Sequence, residues 1–128
     1  MKALLDTHVF LWWITNRDLL SPTALKVIGD GANDLFFSAG SAWEIAIKTR
    51  LGKLRLSSEL ERFIAEQLTV NAFQPLPIQI SHALRVHNLP DHHRDPFDRI
   101  LIAQAQLENL PILSANPLIS QYDIQVLW

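Results

Sequence analysis

Five side chains that could bind a cation or orient a water are spread along the sequence. They are Asp6, Glu44, Asp95, Asp98 and Asn116. Each of them follows a predicted buried strand or lies at the start of a predicted helix. In an open parallel sheet such positions meet outside the carboxyl ends of the strands, where ligands bind. We therefore expect these five side chains to converge on one site.

Such a site needs a cation, because neighbouring carboxylates repel and one of them would otherwise become protonated. A divalent cation can also orient a water for in-line attack on a phosphodiester and stabilise the leaving oxygen. The chain has no cysteine, so only oxygen and imidazole ligands are available. Oxygen ligands suit hard cations, and the sequence therefore predicts Mg²⁺ or Mn²⁺.

Three of these residues also have a structural explanation that needs no metal. Asp6, at a strand end, can begin a turn or cap the next helix. Glu44 can complete a capping box with Ser41. Asn116 can be a turn residue ahead of Pro117. The hypothesis of a site therefore depends on the combination of residues.

The acidic pair Asp95 and Asp98 has the same ambiguity. Asp95 precedes Pro96 and fits the N-cap of a helix that begins with proline. Asp98 would then lie in the first turn, where a carboxylate interacts favourably with the helix dipole. Capping is thus the main alternative to a metal role for Asp95.

Basic and aromatic side chains flank these acids. A basic run surrounds the predicted Glu44 helix, and two further arginines bracket the acidic pair: Lys48, Arg50, Lys53, Arg55, Arg94 and Arg99. They would suit phosphate contacts, although a solvated surface explains them equally well. We expect His92 and His93 to lie in a solvated loop, since adjacent side chains point apart.

The tryptophans are assigned to two environments. We expect Trp43 and Trp128 in the core. Trp12 and Trp13 belong to a very apolar helix that is part core, and they are our candidates for a partner-facing surface.

The elements that must position the acids alternate between strand and helix. The predicted strands are residues 2–5, 35–38, 111–114 and 124–127, and residues 73–76 form a short extended piece that is either an edge strand or a connection. The predicted helices are residues 9–14, 22–30, 41–51, 58–68, 81–89 and 96–109. This alternation predicts an α/β fold with a mainly parallel sheet that helices cover on both faces.

Composition is consistent with one domain over residues 1–128. Of the 128 residues, 48% are hydrophobic and 19% are charged, which is enough apolar material for one compact domain. No apolar run approaches the roughly 20 residues of a membrane span, and no signal peptide is evident, so we expect a cytoplasmic protein. Setting aside Asp6, Glu44, Asp95 and Asp98 changes the net charge from −2 to +2, which permits a nucleic-acid substrate.

Four segments together resemble a known family. They are residues 4–7 (LLDT), 41–48 (SAWEIAIK), 93–99 (HRDPFDR) and 102–105 (IAQA). In this order they resemble PIN-domain proteins, specifically the VapC-like toxins of type II toxin–antitoxin systems, over nearly the whole chain. The resemblance implies an endoribonuclease that needs Mg²⁺ or Mn²⁺, cleaves RNA such as tRNA or rRNA, and is inhibited by a cognate antitoxin.

Carried over by position, the resemblance gives each acid a role. Asp6, Glu44 and Asp98 match the first three acids of the family and would bind the metal. Asp95 is an additional acid, and Asn116 stands where the family usually has a fourth Asp. The resemblance also implies a homodimer with the acidic sites near a shared groove.

Three other functions compete with this one. A haloacid-dehalogenase-like phosphatase would need a second Asp two residues after Asp6, where this chain has His8. A response-regulator-like phospho-acceptor would need a lysine at a late strand end, and residues 112–116 contain none. The remaining alternative, motivated by Asn116, is a catalytically weakened PIN fold that acts as an RNA-binding or protein-binding module.

Overall fold

The fold is built around a five-stranded sheet, here described from a computed structural model covering residues 1–128. The strands are β1 (Lys2–Leu5), β2 (Asp34–Ser38), β3 (Gln74–Leu76), β4 (Ile112–Leu113) and β5 (Val126–Leu127). Their order is β3-β2-β1-β4-β5, and every neighbouring pair is parallel. The expected α/β class is confirmed and the four predicted strands are present, while the extended piece at residues 73–76 contains the edge strand β3.

Six α-helices and three short 3₁₀ helices connect the strands. The α-helices are α1 (Thr7–Thr15), α2 (Pro22–Gly29), α3 (Ala39–Arg50), α4 (Leu60–Val70), α5 (Ile80–Arg85) and α6 (Pro96–Glu108). The 3₁₀ helices are Arg17–Leu19, Val86–Asn88 and Ile119–Gln121. No helix in this structure is both long and apolar enough to cross a membrane.

The helices bury both faces of the sheet. Ala3 and Leu5 of β1 belong to one buried cluster, together with Phe10 of α1 and residues of α2 and α3. Leu4, which points to the opposite face, belongs to a second cluster that contains Leu101 of α6. A strand covered on both faces reads as a continuous apolar run, and this explains the sequence of β1.

Four helix starts, those of α1, α3, α4 and α5, differ by one or two residues from the sequence prediction. Helix α3 begins at Ala39, because the Ser38 hydroxyl accepts a hydrogen bond from the Gly40 N–H at 2.9 Å. The predicted capping box of Ser41 and Glu44 is therefore wrong, and Glu44 lies in the second turn. Helix α5 begins at Ile80, one residue before the predicted start, and Gln79 is its N-cap.

Gly40 allows α3 to approach α6 closely. A Cβ at this position would lie 2.8 Å from Ile100 Cγ2, which is closer than carbon atoms pack. A glycine is thus needed where the two helices cross. The contact brings the first two turns of α3 beside the first two turns of α6.

Candidate metal centre

Asp6 follows the central strand β1 and is almost fully buried, with 2% of its surface exposed. It occupies the N-cap position of α1, yet its side chain makes no capping hydrogen bond. The Ser114 hydroxyl, just beyond β4, donates to Asp6 Oδ2 at 2.8 Å. Asp6 Oδ1 is buried and has no hydrogen-bond partner. An unpaired buried carboxylate oxygen is costly, and a bound cation would satisfy it.

Glu44 reaches the site from α3. Its carboxylate is buried, and Lys48, one turn later, donates from Nζ to Glu44 Oε2 at 2.5 Å. The Thr7 hydroxyl donates to Ser41 Oγ at 2.8 Å, which ties the start of α1 to α3 close to Glu44. The side chain of Ser41 therefore serves this contact.

Asp98, the third residue of α6, is 8% exposed. Its Oδ2 accepts a hydrogen bond from Asn116 Nδ2 at 3.3 Å and lies 3.1 Å from His93 Nε2. No hydrogen bond ends on Asp98 Oδ1. Asp6 and Asp98 thus share a pattern in which the protein holds one carboxylate oxygen and leaves the other free.

Asp95 is engaged as the cap of α6. Its Oδ1 accepts hydrogen bonds from the backbone N–H of Phe97 at 2.9 Å and of Asp98 at 3.0 Å. This is the structural alternative that the sequence offered for Asp95. Its negative charge still acts on the site, because it contributes to the raised pKa of Asp98.

Asn116 connects the strand end to the acids. Its backbone N–H donates to Ser114 Oγ at 3.0 Å, and its side-chain oxygen accepts from the Leu118 N–H at 3.0 Å. With its amide directed at Asp98, Asn116 links the β4 end to α6. Asn116 therefore acts both as a turn residue and as a hydrogen-bond donor to Asp98.

Burial and the charges of neighbouring acids shift the pKa values of these carboxylates. Burial raises the pKa of Asp6 above its ordinary value of 3.8, and the charge of Glu44 adds to the increase, while the Ser114 hydrogen bond opposes it. Burial, followed by the charges of Asp6 and Asp95, raises the pKa of Asp98 to about 6. The hydrogen bond to Glu44 raises the pKa of Lys48 above 10.5. The site thus carries excess negative charge that a cation would neutralise.

The residues fit a divalent cation of the magnesium type. No three acidic or histidine side chains are arranged closely enough in this structure to hold a metal ion. Mg²⁺ commonly keeps several waters and uses one or two carboxylates, so it does not need three such side chains. The free oxygens of Asp6 and Asp98 provide two carboxylates of this kind. Glu44 lies beside them, with its other oxygen bound to Lys48.

An open cleft adjoins Glu44. This cavity of about 520 Å³ includes Thr7, Trp12, Glu44, Lys48 and Lys53 among its lining residues. It lies between α1 and the end of α3. Two lysines on one wall favour an anionic ligand in this cleft.

Several side chains lie elsewhere than the sequence indicated. Trp43 and Trp128 are 55% and 38% exposed, so their assignment to the core was wrong. Trp13 packs against the first buried cluster and donates from its indole N–H to Asn71. Trp12 is partly buried and lines the cleft. Trp43 lies on α3, and its ring contacts Phe97 edge-on.

The sequence prediction also missed residues around Asp98. His93 was expected in a solvated loop, but only 9% of its side chain is exposed. Arg99 was a candidate phosphate ligand, but its guanidinium donates to backbone carbonyls and to Tyr122. Neither role could be deduced from spacing, because the partner Tyr122 lies far along the chain. Ser114 was missed for the same reason.

Comparisons with known proteins agree with this geometry. The family model for the PIN domain matches residues 3–125. The structure resembles that of VapBC2 from Rickettsia felis bound to a DNA fragment from their promoter, with a TM-score of 0.72 and 11% identity. That match covers 98% of this chain and 97% of the other.

Two further solved structures show the same fold at low identity. VapBC-1 from nontypeable Haemophilus influenzae matches with a TM-score of 0.64 and 19% identity, and FitAcB from Neisseria gonorrhoeae with a TM-score of 0.61 and 20% identity. Both matches cover 98% of this chain and 96% of the other. The comparison with curated protein sequences gave no match. The family-model match, together with the parallel sheet and the acids at its carboxyl edge, shows that this chain belongs to the PIN domain family.

Proposed function

We propose that this protein is a metal-dependent endoribonuclease, the toxin of a type II toxin–antitoxin pair. The observation that carries the proposal is the buried, unpaired Oδ1 of Asp6 beside Glu44 and Asp98. A structural acid would have both oxygens satisfied or would lie in solvent. A cluster held with one oxygen free is instead suited to bind a cation, and PIN domains are generally nucleases.

In this proposal Asp6, Glu44 and Asp98 hold Mg²⁺ or Mn²⁺. When bound, the cation lowers the pKa of water and neutralises charge on a phosphodiester. Asn116 orients the Asp98 carboxylate through its amide, and Ser114 orients that of Asp6. Asp95 supports the site by fixing the first turn of α6 and by adding negative charge.

The proposed substrate is RNA, with tRNA or rRNA as candidates. The cleft beside Glu44 places Lys48 and Lys53 where they could contact backbone phosphates. Lys48 also neutralises one Glu44 oxygen, so a phosphate that approaches it meets less negative charge. Hydrolysis would then require the scissile phosphate to lie near the cation that Asp6, Glu44 and Asp98 would hold, with a water placed to attack the phosphorus.

The proposed partner is a cognate antitoxin protein. One solved structure with this fold, from Mycobacterium tuberculosis, is a member of the VapBC family of toxin-antitoxin systems. The cleft lined by Trp12 and Leu11 offers apolar surface next to the acids, where a bound segment would block substrate. We further propose a homodimer that acts in the cytoplasm.

Cleavage assays with matched variants test the nuclease proposal. The purified protein, free of antitoxin, is incubated with total RNA and with a tRNA pool in Mg²⁺, Mn²⁺ or EDTA. We expect cleavage that requires metal, is lost in Asp6→Asn and persists in Asp18→Asn, whose carboxylate is exposed. Circular dichroism should show that both variants are folded. Cleavage by Asp6→Asn at the wild-type rate would remove Asp6 from the mechanism.

The alternative is a catalytically weakened PIN fold that binds RNA or protein. It is favoured by Asn116, a neutral side chain where the resemblance gives a fourth acid. Intact RNA under all metal conditions, together with RNA retention in a binding assay, would support this alternative.

A further inference from the structure

We propose that His93 is a positioning residue for Asp98, and that Arg99 and Tyr122 determine which imidazole nitrogen of His93 carries the proton. The proposal rests on the proposed function in one respect, the role of Asp98 as a metal ligand. The hydrogen-bond chain itself stands on the contacts alone.

The hydrogen-bond chain starts at Arg99, whose guanidinium is held in place by backbone carbonyls. Arg99 Nη1 donates to Pro90 O at 2.8 Å, and Nη2 donates to Val86 O at 3.3 Å. Only 12% of its side chain is exposed. Nη1 also donates to the Tyr122 hydroxyl oxygen at 3.0 Å. Since guanidinium groups have only donors, the phenol oxygen must accept this bond.

Tyr122 connects Arg99 to His93. The ring is buried, and the hydroxyl oxygen lies 2.8 Å from His93 Nδ1. Since His93 Nε2 faces Asp98 Oδ2, and an ionised carboxylate only accepts, we assign the phenol hydrogen as the donor to Nδ1. Nδ1 is then an acceptor, and the proton of the neutral imidazole must be on Nε2.

His93 Nε2 therefore presents an N–H to Asp98 Oδ2 at 3.1 Å. Asn116 Nδ2 donates to the same oxygen from another direction. Two donors on Oδ2 fix the rotation of the carboxylate and leave Oδ1 free. Such a support for a ligand carboxylate is a common source of metal affinity.

This series of hydrogen bonds should affect the affinity of the site for a metal ion. Removing the phenol hydroxyl would let the His93 proton move between its nitrogens, which places a lone pair against Asp98 Oδ2 for part of the time. Removing the imidazole would leave Asp98 with the single Asn116 donor. Both changes should weaken metal binding, and loss of the imidazole should weaken it more.

The test measures tautomer and metal affinity on the whole protein. Imidazole ¹⁵N spectra of the metal-free wild type should show His93 with a proton on Nε2 and none on Nδ1, and a mixture of tautomers in Tyr122→Phe. Calorimetric titration with Mn²⁺ should show affinity reduced by about 10–100-fold in His93→Ala. It should show a smaller reduction in Tyr122→Phe. Partial recovery is expected in His93→Gln, whose amide can donate to Asp98.

His87→Gln is the control, because His87 is exposed and makes no side-chain hydrogen bond. It should leave both measurements unchanged. Wild-type Mn²⁺ affinity in folded His93→Ala, or a proton on Nδ1 in the wild type, would overturn the proposal. If the wild type binds no Mn²⁺ and cleaves no RNA, the proposed function fails, and the metal role of His93 fails with it. Binding by the wild type with unchanged affinity in the variants overturns only the positioning role.

Discussion

The Asp98 carboxyl is buried beside Asp6 and Asp95, and these surroundings raise its pKa from 3.8 to about 6. The folded state therefore binds a proton at Asp98 more tightly than the unfolded chain does. This stabilisation is fully present below about pH 4 and is lost as the pH rises through about 6. In the metal-free protein, the ionised acids of the site thus oppose folding at neutral pH.

Denaturation across pH tests this consequence for Asp98. Between about pH 4 and 6 in EDTA, the free energy of unfolding of the wild type should fall relative to that of Asp98→Asn by up to about 3 kcal/mol. Urea denaturation at several pH values measures the difference. A difference that is flat or increases with pH would contradict the raised pKa.

Asn116 leads to a second prediction for a single residue. In Asn116→Asp a carboxylate replaces the amide that donates to Asp98 Oδ2. The metal-free variant should lose about 1–3 kcal/mol of stability, because a donor is lost and a like charge is added. Its Mn²⁺ affinity should increase about tenfold, since the ion gains a charged ligand.

Denaturation in EDTA and calorimetric titration with Mn²⁺ measure both effects. Asn88→Asp is the matched control, because Asn88 is exposed and its side chain makes no hydrogen bond. Unchanged Mn²⁺ affinity in Asn116→Asp would place Asn116 outside the metal's reach.

Among the elements, the crossing of α3 and α6 sets the relative positions of Glu44 and Asp98. Gly40→Ala would place a methyl group 2.8 Å from Ile100 Cγ2, on a β-branched side chain that cannot easily turn away. Overpacking of this kind should destabilise the protein by about 1–3 kcal/mol. Gly29→Ala is the control, because no atom lies within 4 Å of its added Cβ, and it should be neutral or stabilising by up to about 1 kcal/mol. Equal free energies of unfolding of Gly40→Ala and Gly29→Ala in urea would show that α3 and α6 can move apart without a loss of stability.

The same elements show how far the sequence could be interpreted. Helix α6 was predicted with its observed start and to within one residue at its end. The start could be predicted because Asp95-Pro96 is a strong local signal, and the cap is made as expected. The start of α3 was misplaced because both Ser38 and Ser41 suit an N-cap, and only the contact of Ser41 with Thr7 decides between them. Local sequence signals were therefore sufficient to predict a helix start where only neighbouring residues decide the N-cap hydrogen bond.

The residues of the candidate site also differ in whether the sequence could reveal them. The acids could be selected from sequence because each follows a strand or opens a helix, and strand ends of a parallel sheet meet. The residues that hold them could not, since Ser114 is 108 positions from Asp6 and Tyr122 is 29 positions from His93. Side chains that act through tertiary hydrogen bonds have no periodicity to reveal them.

For the whole molecule, the site joins parts of the chain that only the complete fold brings together. Asp6 follows the central strand, Glu44 lies on a helix that packs in one buried cluster, and Asp98 on a helix that packs in the other. An unfolded chain cannot present these three carboxylates together, so a cation that binds them stabilises the folded state alone.

Thermal unfolding should therefore depend on the metal. At a free Mn²⁺ concentration of about 100 times Kd, linkage adds about 2.7 kcal/mol to the free energy of unfolding. For a domain of this size, the wild-type Tm should rise by about 5–10 °C relative to EDTA. Asp6→Asn should lose most of this rise, and Asp18→Asn should keep it. Metal-free Asp6→Asn should be at least as stable as metal-free wild type, because it no longer buries a charged carboxylate. A wild-type Tm that does not respond to Mn²⁺ or Mg²⁺ would mean that the acids do not bind the ion, however well the fold is formed.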